Sequence, residues 1–153
     1  EATAATGAAL LGPDGNELRV LETRGANAPL ADERLSLDGS VAGEAWYRAR
    51  LVTGPEPPPR GRQAALWHDD RTIDVMAVPV IVEGRPVAAF VLYHRHLGHF
   101  RRSDATTLTR LAAVAAGLWN PPVGLVPPAE SRTQHQIRAA SRMAMVAAGL
   151  RCR

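Results

Sequence analysis

Apolar and polar positions along the chain switch between a period of two, a helical period and proline-rich breaks, and this pattern predicts a mixed fold. Residues 7–11 are small and apolar and run into Pro13-Asp14-Gly15-Asn16, beyond which Leu18, Val20 and Leu21 stand among Glu17, Arg19 and Glu22. Proline fixes one φ, aspartate bonds nearby backbone and glycine accepts positive φ, so these residues predict a turn joining two strands into a hairpin. Residues 25–37 read as a loop. Asp38-Gly39-Ser40 then introduces Val41, Ala42, Ala45, Trp46 and Ala49. Their spacing predicts a short helix, with Asp38 or Ser40 able to accept bonds from its first free amides. The helix ends near Arg50, where Leu51-Val52-Thr53 predicts a brief strand.

Residues 54–61 hold Pro55, Pro57, Pro58 and Pro59. Each proline removes a backbone donor and constrains the residue before it, so a long surface loop is expected. Residues 73–82 are rich in β-branched side chains, turn through Glu83-Gly84-Arg85-Pro86, and continue as residues 87–93. These predict the two central antiparallel strands. Pro79 then requires a bulge or an edge-facing position, since proline removes a ladder bond. Ser103-Asp104 is expected to cap a helix whose apolar positions are Leu108, Leu111, Ala112, Ala115, Ala116 and Trp119, ended by Asn120-Pro121-Pro122. Pro127-Pro128 bounds a linker, and residues 130–150 form a last helical pattern with Ile137, Met143 and Ala144 apolar and Arg132, Arg138 and Arg142 outward. The order is hairpin, helix, short strand, long loop, hairpin, helix, helix. It predicts an α+β fold in which an antiparallel sheet carries helices packed on one face, the other face meeting a ligand beneath the loops.

Composition narrows the class. A chain of 153 residues, 46% hydrophobic and 22% charged, is a globular protein of one compact domain. No apolar run approaches the roughly 20 residues that cross a bilayer, and residues 1–12 lack the pattern of a signal peptide, so a soluble cytoplasmic protein without membrane partners is expected. Cys152 is the only cysteine, which excludes an internal disulfide and a multi-cysteine zinc site. There is no lysine; the net charge of +3 rests on dispersed arginines, densest at Arg60/Arg62 and Arg101/Arg102. Neither spot forms a stripe with interleaved aromatics, so nucleic-acid binding is not supported.

Three stretches together resemble a GAF domain. Leu37-Asp38-Gly39-Ser40-Val41-Ala42-Gly43-Glu44 is similar to that family's helix-opening segment; Met76-Ala77-Val78-Pro79-Val80, followed by Gly84, Val87 and Leu92, is similar to its central hairpin; and Phe100, Asp104, Leu108 and Leu111-Ala112-Ala113 match its closing helix. The resemblance implies a GAF/PAS-like sensory domain over residues 1–120, a proline-rich linker over 121–129, and a C-terminal helix over 130–153 for packing, dimerisation or signalling. Family members usually open with a helix, and this chain begins almost directly with a strand; the C-terminal helix could take that place. The family resemblance further implies a bacterial signalling or transcription-control role, with a small-molecule effector, a homodimer and an output domain as partners.

Known activities of the family can be set against the residues. Members that reduce free methionine sulfoxide need reactive cysteines near the pocket, members that attach bilins use a cysteine, and cyclic-nucleotide binders carry a motif with a lysine; each requirement is unmet here. No nucleophile with its base and no glycine-rich phosphate loop stands out. A non-enzymatic sensor without a cofactor is therefore the expectation. His68, beside Trp67 in the loop before the central hairpin, is where haem-binding members place an axial ligand, although Asp69 and Asp70 give it a solvated setting. His94 and His96 point the same way on a strand and could hold a metal with His99 or Asp104, or simply be the polar residues that gather at a strand end. Trp67, Tyr47, Met76 and Phe90 are candidate pocket walls that would serve equally as core, and Trp46 is expected in the core facing the sheet. A haem or metal sensor, or a purely structural dimerisation module, is the alternative.

Overall fold

The computed structural model describes residues 5–56 and 73–119. Expectations for Trp67, His68, the linker over 121–129 and the helix over 130–150 fall outside these residues. Six strands, β1 (Gly7–Asp14), β2 (Glu17–Gly25), β3 (Arg34–Ser36), β4 (Val52–Glu56), β5 (Ile73–Val82) and β6 (Arg85–His94), join α1 (Val41–Arg48) and α2 (Arg102–Leu118). The strands form one antiparallel sheet in the order β3-β2-β1-β6-β5-β4.

The two predicted hairpins are present. Gly15 turns β1 into β2 at φ 62°, and Glu83-Gly84, at φ 50° and 76°, turn β5 into β6. Two successive residues of positive φ match the twist of the strands they join, and glycine meets the requirement without a steric penalty. The sheet also shows how a fold tolerates its prolines. Pro79 faces Ala89 of β6 but lies beyond Ala77, where pairing with β4 stops. Pro13 and Pro86 lie outside the stretch over which β1 and β6 pair, and Pro55 is on the edge strand β4. Each occupies a strand segment that lacks a neighbour on one side, where a missing donor costs no ladder bond. A register shift follows Pro79 at Val80/Ile81. The proline-rich run expected as a loop contributes its first residues to β4, and the stretch read as a loop contains β3, which pairs with β2 through three residues.

The α+β class and the antiparallel sheet are as expected, but the helices, expected on one face, divide between its two faces, because β5 and β6 carry apolar residues at both parities. α2 packs Leu108, Leu111, Ala112 and Ala115 against Leu10, Met76, Val78, Val80, Phe90 and Leu92. α1 packs Val41, Ala42 and Ala45 against Ala9, Leu11, Val75, Ala77, Ala89, Val91 and Tyr93 on the opposite side, with Trp46 partly buried there. Alternate residues of one strand point to opposite faces, so the even positions of β5 and β6 serve α2 and the odd positions serve α1. This explains why β5 is buried without interruption from Ile73 to Val80. Full burial of each large apolar side chain is worth about 1.5–3 kcal/mol, and the hairpin β5–β6 gathers such gains on both faces.

The caps refine the sequence reading. Ser40 caps α1: its hydroxyl accepts from the Gly43 amide at 3.0 Å. α2 begins one residue earlier than expected, after Arg101; Asp104, in its first turn, reaches back to accept from the Arg101 amide at 2.7 Å, and Ser103 lies inside the helix. Negative charge in a first turn also complements the helix dipole. At Gly43 a Cβ would run into the backbone carbonyl of Leu37, so the entry of the chain into α1 requires glycine there. Gly43→Ala is expected to lower the unfolding free energy by about 2 kcal/mol, the usual cost of overpacking against unyielding backbone, measurable as a shift of the urea midpoint.

Candidate functional site

The α1 face carries a group of polar side chains that sheet packing alone does not account for. Tyr93 closes the odd-numbered row of β6 and is 2% exposed. Its register partners are Gly7 on β1 and Val75 on β5, and Val75 in turn faces Gly54 on β4. Two glycines therefore lie level with the tyrosine, for different reasons. A Cβ on Gly7 would strike Asn27 and Ala28, because the β2–β3 connection crosses the sheet there. Asn27 holds that crossing, its side-chain amide donating to the Thr6 hydroxyl at 2.6 Å while the Ala26 amide donates to the Thr6 carbonyl. Among the described residues a Cβ on Gly54 would find only the Val41 methyl, 3.9 Å away.

Two carboxylates share this face. Glu56 ends the row Val52, Gly54, Glu56 of β4, and its Oε2 accepts from the Val41 amide at the start of α1, 3.2 Å away. Glu33 stands opposite Val20, whose amide donates to its carbonyl, and its Oε2 accepts from the Leu30 amide at 3.0 Å. The other oxygen, Oε1, is buried without a partner, as is the Tyr93 hydroxyl. Burial raises both carboxyls above the ordinary glutamate value, opposed by their single backbone bonds. Burial, then the charges of Glu56 and Glu33, push the Tyr93 phenol well above its usual 10, so it remains protonated with a hydrogen to donate. Among the described residues no salt bridge engages either carboxylate; those present join Arg34 to Asp14 and Glu17, and Arg48 to Glu44. The site is a half-buried, acceptor-rich patch that holds two buried polar atoms without partners, a condition that native structures normally avoid.

The residues selected from the sequence fall elsewhere. Met76 and Phe90 lie on the even-numbered face beneath α2, packed in the core, and cannot wall a pocket under α1. Tyr47, on α1, is 65% exposed and points away from the sheet. Trp67 and His68 lie outside the described residues. Glu33, Glu56 and Tyr93 were missed: the first stood in a presumed loop, the second among prolines, and the third read as strand core. The signal available was parity, since Tyr93 shares its face with Val75 and not with Met76.

The histidines do assemble, on the α2 face at the end of β6. The rings of His94 and His99 stack with centroids 3.8 Å apart and planes within 2°, His96 lies 5.6 Å from His94, and Phe100 meets His94 edge-on. An imidazole lone pair lies in the plane of its ring, so a metal in the plane of one stacked ring is out of the plane of the other. His94 Nδ1 is also 3.1 Å from both the amide and the carbonyl of His96, and Asp74 is engaged by the His99 amide. The three rings thus pack on one another and do not converge on a metal position; among the described residues no set of three potential ligands does. Burial lowers the His94 pKa, with the neighbouring His99 and His96 adding to that and the His96 carbonyl and Asp74 opposing it.

A six-stranded antiparallel sheet with a helix on each face and a polar patch under the shorter one makes an α+β fold. Residues 1–119 match the family model of the GAF domain, and the chain belongs to that family. No curated protein sequence matches the chain. Solved structures of similar fold include the free methionine-R-sulfoxide reductase of Neisseria meningitidis in complex with its substrate, with a TM-score of 0.56, 20% identity and coverage of 92% of this chain and 71% of that one. Another is the GAF domain of a phosphoenolpyruvate-protein phosphotransferase from Coxiella burnetii, with a TM-score of 0.54, 21% identity and 71% and 70% coverage. A type II free methionine-R-sulfoxide reductase from Thermoplasma acidophilum aligns with a TM-score of 0.56 at 14% identity over 74% of this chain and 77% of that one. The expectation of a module without catalytic capacity is corrected by these neighbours, since enzymes are built on this same fold. No helix among the described residues is long and apolar enough to cross a membrane.

Two tests follow from the site. Tyr93→Phe removes a buried hydroxyl that has no partner, so the ligand-free variant should be more stable than the parent by about 1 kcal/mol, read as a raised urea midpoint. The raised glutamates and the lowered histidine act oppositely on acidification. A carboxyl whose folded pKa is raised gains stability as pH falls through that pKa toward 4.5, whereas His94 loses it as pH falls below 6.5. Between pH 7 and 5, Glu56→Gln should therefore lose stability more steeply than the parent and His94→Phe less steeply, in urea titrations at each pH.

Proposed function

We propose that this GAF domain is a cytoplasmic sensory module that binds a small effector on the α1 face and relays its occupancy to a second copy of the chain and to an output domain, in bacterial signal transduction or transcription control. The observation that carries this reading is the Tyr93 hydroxyl, buried without a hydrogen-bond partner near two carboxylates that no salt bridge among the described residues engages. An effector that supplies the missing partners removes an unfavourable term from the folded protein, and so favours whichever arrangement presents the site.

The route of relay starts at Glu56. Its bond to the Val41 amide ties the first turn of α1 to the edge strand, so an effector that engages this carboxylate competes with the helix for it. Effector binding then biases two positions of α1, which is what coupling requires. On the opposite face, α2 exposes Val114 and Leu118, four residues apart on one stripe. Apolar residues at that spacing suit pairing with another helix, and we assign the homodimer contact to them.

Catalysis at the same site is the second reading, favoured by the enzymes among the structural neighbours and by Glu56, a half-buried carboxyl whose raised pKa suits it to hold or take a proton. Native mass spectrometry of the freshly purified chain is the test of the first reading. A dimer carrying a stoichiometric small molecule is expected, with the molecule lost in Glu56→Gln and the dimer lost in Val114→Glu/Leu118→Glu. A monomer that never retains or gains a ligand, with the same thermal midpoint in every metabolite pool tried, overturns it. Turnover of a bound molecule that stops in Glu56→Gln replaces it with the second reading.

A further inference from the structure

We propose that the turn joining β6 to α2 is a proton-operated latch, in which His94 holds the turn while neutral and releases it when charged. The device lies on the α2 face and needs no ligand on the α1 face, so it stands apart from the effector reading. Three side chains fix amides of this turn. His94 Nδ1 accepts from the His96 amide at 3.1 Å, Asp74 from the His99 amide at 3.0 Å, and Asp104 from the Arg101 amide at 2.7 Å. His94 and Asp74 are register partners on β6 and β5 and both are buried, so two of the three acceptors are anchored side by side in the sheet. Of the three, only the imidazole belongs to a residue type that ordinarily changes charge between about pH 5 and pH 8.

The hydrogen of a backbone amide is fixed by its peptide plane, whereas an imidazole chooses its tautomer. With the His96 amide aimed at Nδ1, the tautomer that bonds is bare at Nδ1 and carries its hydrogen on Nε2. Protonation fills Nδ1, and two N–H groups then face each other. The His96 carbonyl, also 3.1 Å from Nδ1, takes the new hydrogen only as the amide gives up its bond, so one proton exchanges the group by which His96 is held.

The stacked ring adds to the response. His99 lies flat on His94 with centroids 3.8 Å apart, and protons on both rings set like charges at that separation. Burial is the largest influence against charge on His94, joined by His99 and His96 from the turn; the His96 carbonyl and, from β5, Asp74 favour it. On the β1 side Thr6 bonds the Tyr93 carbonyl and brings no charge, and in the first turn of α2 the Asp104 carboxylate is engaged by the Arg101 amide. His94 therefore resists charging until the pH is below 6.5, and then charges at the expense of the turn.

The complete chain, labelled with nitrogen-15, is followed from about pH 8 to about pH 5. The ring nitrogens of His94 report its protonation, and hydrogen exchange of the His96 amide, referred to the unprotected rate at each pH, reports the latch. Nδ1 is expected to be bare at the alkaline end, and protection of the His96 amide to fall at least about tenfold as the ring is charged. His94→Asn keeps an acceptor near the Nδ1 position, takes no proton and leaves His96 and His99 to titrate; its His96 protection is expected to stay level. His99→Ala is expected to raise the midpoint of the His94 ring and Asp74→Asn to lower it. His99 is exposed, so its replacement carries the comparison should circular dichroism show His94→Asn unfolded. Hydrogen on Nδ1 at the alkaline end, or an equal loss of protection in folded His94→Asn, overturns the latch. So does a His94 ring that charges while the His96 amide stays protected, or one whose midpoint ignores His99→Ala.

Discussion

The structure depends on the β5–β6 hairpin being buried on both sides. Nine register pairs from Asp74↔His94 to Val82↔Arg85 hold the two strands together, and apolar residues of both parities along them must be removed from water. One helix cannot do this, because a strand presents alternate residues to opposite faces. The chain supplies a helix for each face and extends the sheet on either side through β4 and β1, so that both strands of the hairpin are interior, with β1 and β6 in the middle. The remaining elements follow from that demand: α1 is short because it shares its face with the crossing β2–β3 connection, and α2 is long because the other face is filled by large side chains that ask for a continuous cover.

The two faces differ in what they do with this cover. Under α2, Met76, Phe90, Leu92, Leu108 and Leu111 interlock into a core of large apolar side chains. Under α1, many positions are small, among them Ala9, Ala42, Ala45, Ala77 and Ala89, with Gly7 and Gly54 level with Tyr93. Small residues let the helix and the connection approach the sheet. Polar groups then have somewhere to stand. The same sheet thus carries a packed face that fixes the fold and a polar face that the fold does not fully satisfy, which is where functional chemistry is expected when local rules fail.

Much of the fold was legible because its signals are local. Asp14-Gly15 and Glu83-Gly84 mark the hairpins through the positive φ that glycine accepts, and Ser40 marks α1 through its capping hydroxyl. The division of the helices between two faces departs from the single face expected of them, although the absence of alternation from Ile73 to Val80 holds the signal, since a sheet covered on one side would alternate. β3 was not legible, because three residues between turns carry no periodicity and pair only through the tertiary position of β2. The site was hidden for a related reason. Met76 and Phe90 attract notice by size, but Val78↔Phe90 and Met76↔Leu92 are register pairs on the α2 face, and size carries no information about parity. Glu33 and Glu56 are ordinary surface residue types until the sheet brings them to one side, and only then does their lack of a salt bridge among the described residues mean something.

That absence links stability to function. A buried hydroxyl and carboxylate oxygen without partners cost the ligand-free protein free energy that an apolar pair of the same shape would not. The cost is tolerable because the α2 face and the β5–β6 hairpin hold the fold independently of the site, on the other side of the sheet. It is useful because whatever fills the site recovers it, and a recovery available only in the bound state is what makes binding shift an equilibrium. Glu56 places that shift where it can be felt beyond the site. The carboxylate that a ligand would engage is also the acceptor that fixes the first turn of α1, so satisfaction of the ligand and retention of the helix draw on one group. A site that met all its polar needs internally would bind less and report nothing, and the incomplete pairing around Tyr93 is therefore the feature through which this sheet can sense.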